Sequence, residues 1–463
     1  MNLVGAWSVH VKKRLPSGID LLVAEIIAAA AVLLAGHWWP AAPWLLIPAA
    51  VILYAAVILL ESPRPARVRL ILACLAAVAF CALVAAANGL RDPEHYAFSL
   101  DDATYHRQAK AIAEAWRNGL FPQLSLKGSA PYYIGSLHTG YQRLLAGVYY
   151  VAGADFRLGI LANLFAVMLI PLFVFRAIST IAATPAQTAT KSPAPESDAL
   201  AGAWLAALYP GLGYWSAWLL KDVVLAMLFI AGVAAALDLL VRRRADVGLC
   251  LGALLYGLGI FRAYAALSLV GGMVVYILAR LPRRLSSWGL VGLLLGAVLF
   301  GYTETGSAYV RQLVYSLAEL IPGEVRTPAQ AFLLIVRGVP RLFLAPYAWV
   351  KAYGPNPTYG LYPAMWWLYL IVYPLAAAGL FRLGRQNVLP ATVPLVAWAL
   401  SAYLLLISYV GDAPRQRLYL DMVMCVFAGC GRTEPRRRLF FAAWYGCLGA
   451  YIAVHLATLK WRY

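Results

Sequence analysis

Apolar stretches of about 20 residues recur along this chain, the length an α-helix needs to cross the hydrocarbon core of a bilayer. They fall at 19–37, 43–61, 68–89, 158–178, 200–217, 223–241, 247–263, 264–281, 286–302, 364–381, 388–409, 412–431 and 439–459. The pattern predicts an all-α polytopic membrane protein, a bundle of about 12 to 13 transmembrane helices with amphipathic helices outside it. A water-soluble core cannot absorb the composition: 63% of the 463 residues are hydrophobic, 13% are charged and the mean hydropathy is +0.72.

The formal net charge of +18 raises nucleic acid as a partner. The Lys and Arg residues stand mostly in short clusters between apolar stretches, as topology signals do, so none is expected. With the amino terminus cytoplasmic, alternate loops carry Lys12, Lys13 and Arg14; Arg64, Arg67 and Arg69; Arg242, Arg243 and Arg244; Arg280, Arg283 and Arg284; Arg382 and Arg385; and Arg432 with Arg436, Arg437 and Arg438. This predicts a multi-pass protein of a bacterial plasma (inner) membrane, its first helix a retained anchor because no small-residue cleavage motif follows it. The Cys residues (74, 81, 250, 425, 430 and 447) show no CxxC pair and are expected to be buried free thiols.

The chain then divides into amino-terminal helices (1–89), a first outer loop (90–157), central helices (158–302) with a Pro-, Ala-, Thr- and Ser-rich cytoplasmic linker near 183–199, a second outer loop (303–363) and carboxy-terminal helices (364–463). The second loop mixes Arg326, Arg337, Arg341 and Lys351 with Phe343, Tyr347 and Trp349, a pattern expected of helices lying against anionic head groups.

Four segments on the outer side carry charge where topology does not call for it. The first loop holds Asp101 and Asp102 at the start of an amphipathic helix whose Tyr105, Ala109, Ile112, Ala113 and Trp116 share one face. A capping box of Ser99 with Asp102 accounts for these acids; so does a general base working beside a second carboxylate that orients it. Lys221 and Asp222 open a later helix, either as a local ion pair or as a phosphate contact and a third acid. Arg262 stands between two spans, as a snorkelling anchor or a donor contact. Arg415 and Arg417 break the positive-inside trend, and paired guanidinium groups suit a phosphate.

In order and spacing these motifs resemble the GT-C superfamily of membrane glycosyltransferases, especially bacterial relatives of the protein mannosyltransferases and of the lipid A aminoarabinose transferase. The likeness runs from about Ser99 to Gly431 and rests on Asp101-Asp102-Ala103-Thr104-Tyr105, on Asp222-Val223-Val224-Leu225-Ala226, on Arg262 after a Gly-rich helix, on Arg415-Gln416-Arg417 and on 131–163 with Gly135, Tyr141 and Gly153. The resemblance implies an inverting transfer of a sugar from a polyprenyl-phosphate donor to an extracytoplasmic glycan, lipid or protein. Asp101 is then the first choice of base and Asp102 the second, with Asp222 positioning the acceptor. Lys221, Arg262, Arg415 and Arg417 hold the donor phosphate, and Tyr105, His106, His138, Tyr141, Arg337 and Arg341 complete the set as substrate-binding candidates. No cofactor is required; a divalent metal near the acids is compatible.

Three departures stand beside the likeness. Three predicted spans, where many relatives have one, precede the acidic loop; Asp-Asp replaces the commoner Asp-Glu; and no WWDxG-type signature of oligosaccharyltransferases is present. Two rival readings follow from the same residues. A polymerase or ligase of undecaprenyl-diphosphate-linked glycans would rest more on His106, His138 and Arg341. A transporter would show internal repeats and charges near the midplane, which the sequence does not suggest.

Overall fold

The computed structural model describes residues 42–91, 100–119, 140–183, 195–281, 338–340, 342–344, 368–409 and 416–460. Among these residues there is no strand, and seven helical runs are long and apolar enough to cross a membrane, with two shorter apolar helices beside them. The chain is an all-α polytopic membrane protein, the architecture a bilayer imposes because backbone in hydrocarbon has no water to bond. The expected spans 19–37 and 286–302 and most of the 303–363 loop lie outside the described residues.

Helices α1 (Ala42–Glu61) and α2 (Arg64–Arg91) are joined by a short turn, held by Ser62 Oγ donating to the Ile58 carbonyl at 2.7 Å and by Arg67 donating to the carbonyls of Leu60 and Ser62. Two amphipathic helices follow, α3 (Leu100–Arg117) and α4 (Gly140–Ala152), packed on each other. The face expected of α3 is the face it buries: Tyr105, Ala109, Ile112, Ala113 and Trp116 are all in the core. α5 (Phe156–Ala182) begins at Asp155, whose carboxylate accepts from the Arg157 N–H at 2.8 Å as its cap.

The expected span 200–217 is broken. It forms α6 (Pro195–Ala207) and α7 (Pro210–Ser216), because Pro210 has no N–H to continue the first helix. A short turn leads to α8 (Asp222–Arg242), the centre of the bundle, 94% of whose apolar window is buried. The next two expected spans form one run, α9 (Gly248–Arg280), interrupted at Arg262, whose φ of −160° and ψ of 99° are extended. Its halves fold back on each other: Leu258 and Leu269, eleven residues apart, both reach the Cα hydrogen side of Gly232 on α8. A straight helix would separate them by about 16 Å.

The remaining helices are α10 (Tyr373–Arg385, entered through a π turn at Leu368–Val372), α11 (Thr392–Tyr409), α12 (Leu418–Gly431) and α13 (Arg437–Lys460). α13 is peripheral, with 6% of its window buried, and Cys447 lies exposed on it rather than buried as expected. All six cysteines are free, as expected; Cys74, Cys81, Cys425 and Cys430 are buried and Cys250 is partly so.

Where α10 crosses α12 the backbones nearly touch. A Cβ on Gly379 would lie 1.9 Å from the Phe427 carbonyl oxygen, and one on Gly431 1.9 Å from that of Leu375. Small residues permit such approaches between membrane helices. Gly379→Ala is therefore expected to cost about 1–3 kcal/mol in detergent unfolding. Gly384→Ala, where nothing lies within 4 Å, is the matched control and should be nearly silent.

The bundle has two polar ends. At one, Asp238 is fully buried and takes Arg176 at 2.6 Å, Tyr54 at 3.0 Å and Thr180 at 2.9 Å, while Arg176 also meets Glu61 at 2.7 Å. Nearby, Asp198 takes Arg382 and Thr433, each at 2.9 Å. These contacts tie α1, α5 and α8, and α6 to α10 and the α12–α13 turn. The opposite end, where α8 begins at Asp222, is called the upper end below.

Candidate active site at the upper end of the bundle

Asp102 is fully buried on α3, within electrostatic reach of the Tyr141 phenol on α4. Tyr105, one turn after it, packs edge-on against Tyr141 with ring centroids 5.3 Å apart. Tyr141 in turn packs edge-on against Phe261, at the apex of α9. α4 reaches that apex because its first residue is glycine: a Cβ on Gly140 would lie 2.5 Å from the Phe261 ring and 2.9 Å from the Ile260 carbonyl oxygen. Burial holds the Tyr141 phenol well above its ordinary pKa, so it stays a hydrogen-bond donor.

The acceptor of that phenol is Asn163 Oδ1, at 3.2 Å. Asn163 Nδ2 donates to the carbonyls of Trp218 and Leu220, at 2.7 and 3.2 Å. The turn it holds delivers Lys221 and Asp222, both buried. Asp222 is the first residue of its helix, and its Oδ1 lies 3.4 Å from Arg262 Nη2, an ion pair between α8 and α9. Arg262 is buried too, which rules out a snorkelling anchor, and its Nη1 donates to Tyr264 Oη and to Gln416 Oε1, the latter at 2.8 Å.

Arg417, next in sequence to Gln416, is wholly buried. Its Nε donates to Asp421 at 3.2 Å and its Nη1 to the Leu342 carbonyl. Tyr209 and Tyr373 also donate to Asp421, at 2.6 and 3.4 Å. The carbonyls of Phe343 and Leu344 accept from Tyr373 and Tyr369, at 3.2 and 2.7 Å. Three successive carbonyls of the second loop are thus held by side chains of α10, its entry turn and the residue before α12. Among the described residues Arg417 Nη2 is buried with no hydrogen-bond partner.

In this upper-end assembly Asp102, Tyr105 and Tyr141, and Asp222 with Arg262, are thus linked through Asn163 and Phe261, with Lys221 next in sequence to Asp222 and Arg417 next to Gln416. His106 joins its rim, with Nδ1 2.9 Å from Tyr149 Oη. Burial lowers the His106 pKa, Lys110 lowers it further, and Asp155 opposes both, so the imidazole is neutral at pH 7. The side chain of Asp101, and His138, Arg337, Arg341 and Arg415, lie outside the described residues, as does Ser99 of the suggested capping box.

Beneath this assembly lies an apolar cavity of about 320 Å³ between α1, α4, α5, α8 and α9. Every residue lining it is apolar, including Val51, Leu144, Phe165, Met227 and Phe261. Leu161 and Phe165 on its wall are 57% and 39% exposed, on the flank of the bundle that the described residues form.

No family model, no curated protein and no solved structure matches this chain. The chemistry open to the site is set by its own groups.

Those groups are two buried carboxylates (Asp102 and Asp222), two buried cations at the same level as Asp222 (Lys221 and Arg262) and an aromatic wall. Among the described residues no three His, Cys, Asp or Glu side chains gather as metal ligands. Sequence reading missed Asn163, Gln416, Asp421 and Tyr209. For Asn163 and Asp421 a signal existed, since an amide or carboxylate inside an apolar span is costly unless satisfied. For Gln416 and Tyr209 none did.

Proposed function

We propose that this chain is a glycosyltransferase of the GT-C type, transferring a sugar from a polyprenyl-phosphate donor to an extracytoplasmic acceptor in a bacterial plasma membrane. The observation that carries the reading is a buried acid–cation pair next to an apolar cavity, two of whose wall residues, Leu161 and Phe165, are exposed on the flank of the described bundle. An amphiphile with a long apolar tail and an anionic head matches both halves.

In this reading the upper end is extracytoplasmic, in line with the basic clusters at the other end. The donor tail enters sideways and its phosphate meets Lys221, Arg262 and Nη2 of Arg417, with Arg415 nearby in sequence. An acceptor hydroxyl attacks the anomeric carbon from the face opposite the phosphate. Asp101 or Asp102 takes its proton, the new glycosidic bond forms as the carbon–oxygen bond to phosphate breaks, and the configuration inverts. Polyprenyl phosphate leaves with both electrons of that bond, its charge balanced by the cations. Asp222 holds Arg262 and orients the acceptor.

Narrowing the cavity tests the tail site. Ala162→Trp places an indole in its wall, and is expected to lower kcat/KM about tenfold for a long-chain donor, a loss of about 1.4 kcal/mol. A donor shortened to two isoprene units should be nearly unaffected. Equal losses for both donors would contradict the assignment.

A further inference from the structure

We infer that Asn163 is the positioning residue of the upper-end assembly: its amide fixes the turn that carries Lys221 and Asp222 against the α4 wall that carries Tyr141. Asn163 is wholly buried on α5, and its sequence neighbours Ala162 and Leu164 are apolar. A primary amide in such surroundings is costly unless its donors and acceptor are used. All three are: Oδ1 accepts from Tyr141, and the two hydrogens of Nδ2 go to the carbonyls of Trp218 and Leu220.

Those two carbonyls belong to a tight turn rather than to a helix. The Leu220 N–H donates to the Trp218 carbonyl at 2.8 Å, and α8 starts two residues later at Asp222. The turn has no regular ladder to define it, so the amide supplies its geometry. Only an amide of this length serves. Asp accepts from Tyr141 but has no hydrogens for the carbonyls, Leu serves neither, and Gln places the group one methylene further along. Through the turn, Asn163 sets where Asp222 meets Arg262; through Tyr141, it sets the aromatic wall beside Asp102. It touches no reacting atom in this scheme.

What is positioned rests on the proposed transferase reading, whereas the positioning itself is measurable without turnover. Hydrogen–deuterium exchange of the full-length protein in detergent reads the turn directly. In Asn163→Asp, peptides covering 217–222 are expected to exchange about tenfold faster, with other upper-end peptides unchanged. In Tyr141→Phe, which keeps both Nδ2 bonds, the turn should stay protected. In the transfer assay Asn163→Asp should raise KM for the donor more than it lowers kcat, because the displaced groups include Lys221.

Unchanged exchange at 217–222 in a folded Asn163→Asp protein, or the same acceleration throughout the upper end, would overturn the inference. If that variant does not fold, the wild type decides: peptides over 217–222 must exchange more slowly than the α6–α7 turn at 208–210, and equal rates would overturn it. A wild type that protects the turn but transfers no sugar would sink the transferase reading and leave the role of Asn163 in the fold standing.

Discussion

Asp101→Asn and Asp102→Asn, made separately, are expected to separate the base from its partner. The base variant should lose about 10²–10⁴-fold in kcat, the usual contribution of a positioned proton acceptor, while unfolding at the same temperature as wild type. The partner variant should lose stability as well as activity. Asp102 is fully buried beside Tyr105 and Tyr141, so an amide there must place its N–H₂ group among partners chosen by a carboxylate. If Asp102→Asn costs turnover alone, Asp102 is the base. If neither variant changes turnover in folded protein, proton transfer does not run through this pair.

The largest effect on stability is expected at the other end of the bundle. Asp238→Leu should cost about 3–5 kcal/mol, because it leaves the buried Arg176 without the carboxylate 2.6 Å away and Tyr54 and Thr180 without their acceptor. Glu61, at 2.7 Å from Arg176 but 38% exposed, screens only part of that loss. A double variant, Arg176→Leu with Asp238→Leu, should recover much of it, since paired charges in an apolar setting contribute less than the penalty of breaking them suggests. Thermal unfolding of the four proteins in one detergent measures the coupling. Additive losses would show that the two residues do not act as a pair.

These two ends differ in how far the sequence announces them. Spans such as 43–61, 223–241 and 439–459 are legible to within a residue or two because an apolar run of bilayer length is a local property. The buried face of α3 is legible for the same reason, through its period. Interruptions are less so: Pro210 signals the break between α6 and α7 only once two short helices are preferred to one long one, and no local feature dictates the extended backbone at Arg262. The Asp222–Arg262 pair was two separate suggestions in the sequence, each with a structural alternative; a separation of 40 residues hides the contact. Arg176 with Asp238, and Asp198 with Arg382, are 62 and 184 residues apart, and Arg382 reads locally as nothing more than a topology signal.

Arg417 shows how placement refines a role. As one half of Arg415-Gln416-Arg417 it suggested a two-arginine phosphate fork. In the fold its Nε and Nη1 serve Asp421 and the Leu342 carbonyl, so most of the side chain docks the second loop and only Nη2 is without a hydrogen bond among the described residues. Arg417→Lys keeps a charge but loses the fork. It should loosen residues 342–344, seen as faster proteolysis near that segment, as well as weaken donor binding.

The central claim is tested most directly by sugar transfer from a radiolabelled polyprenyl-monophosphate donor, using purified wild type in lipid nanodiscs with Asp101→Asn, Asp102→Asn and Arg262→Ala beside it. The expected result is donor-dependent transfer by the wild type, its loss in at least one Asp variant that remains folded, and a raised donor KM in Arg262→Ala. Transfer that persists unchanged in all three variants, or a folded wild type that takes sugar from no polyprenyl-monophosphate donor while consuming a diphosphate-linked one, would contradict it.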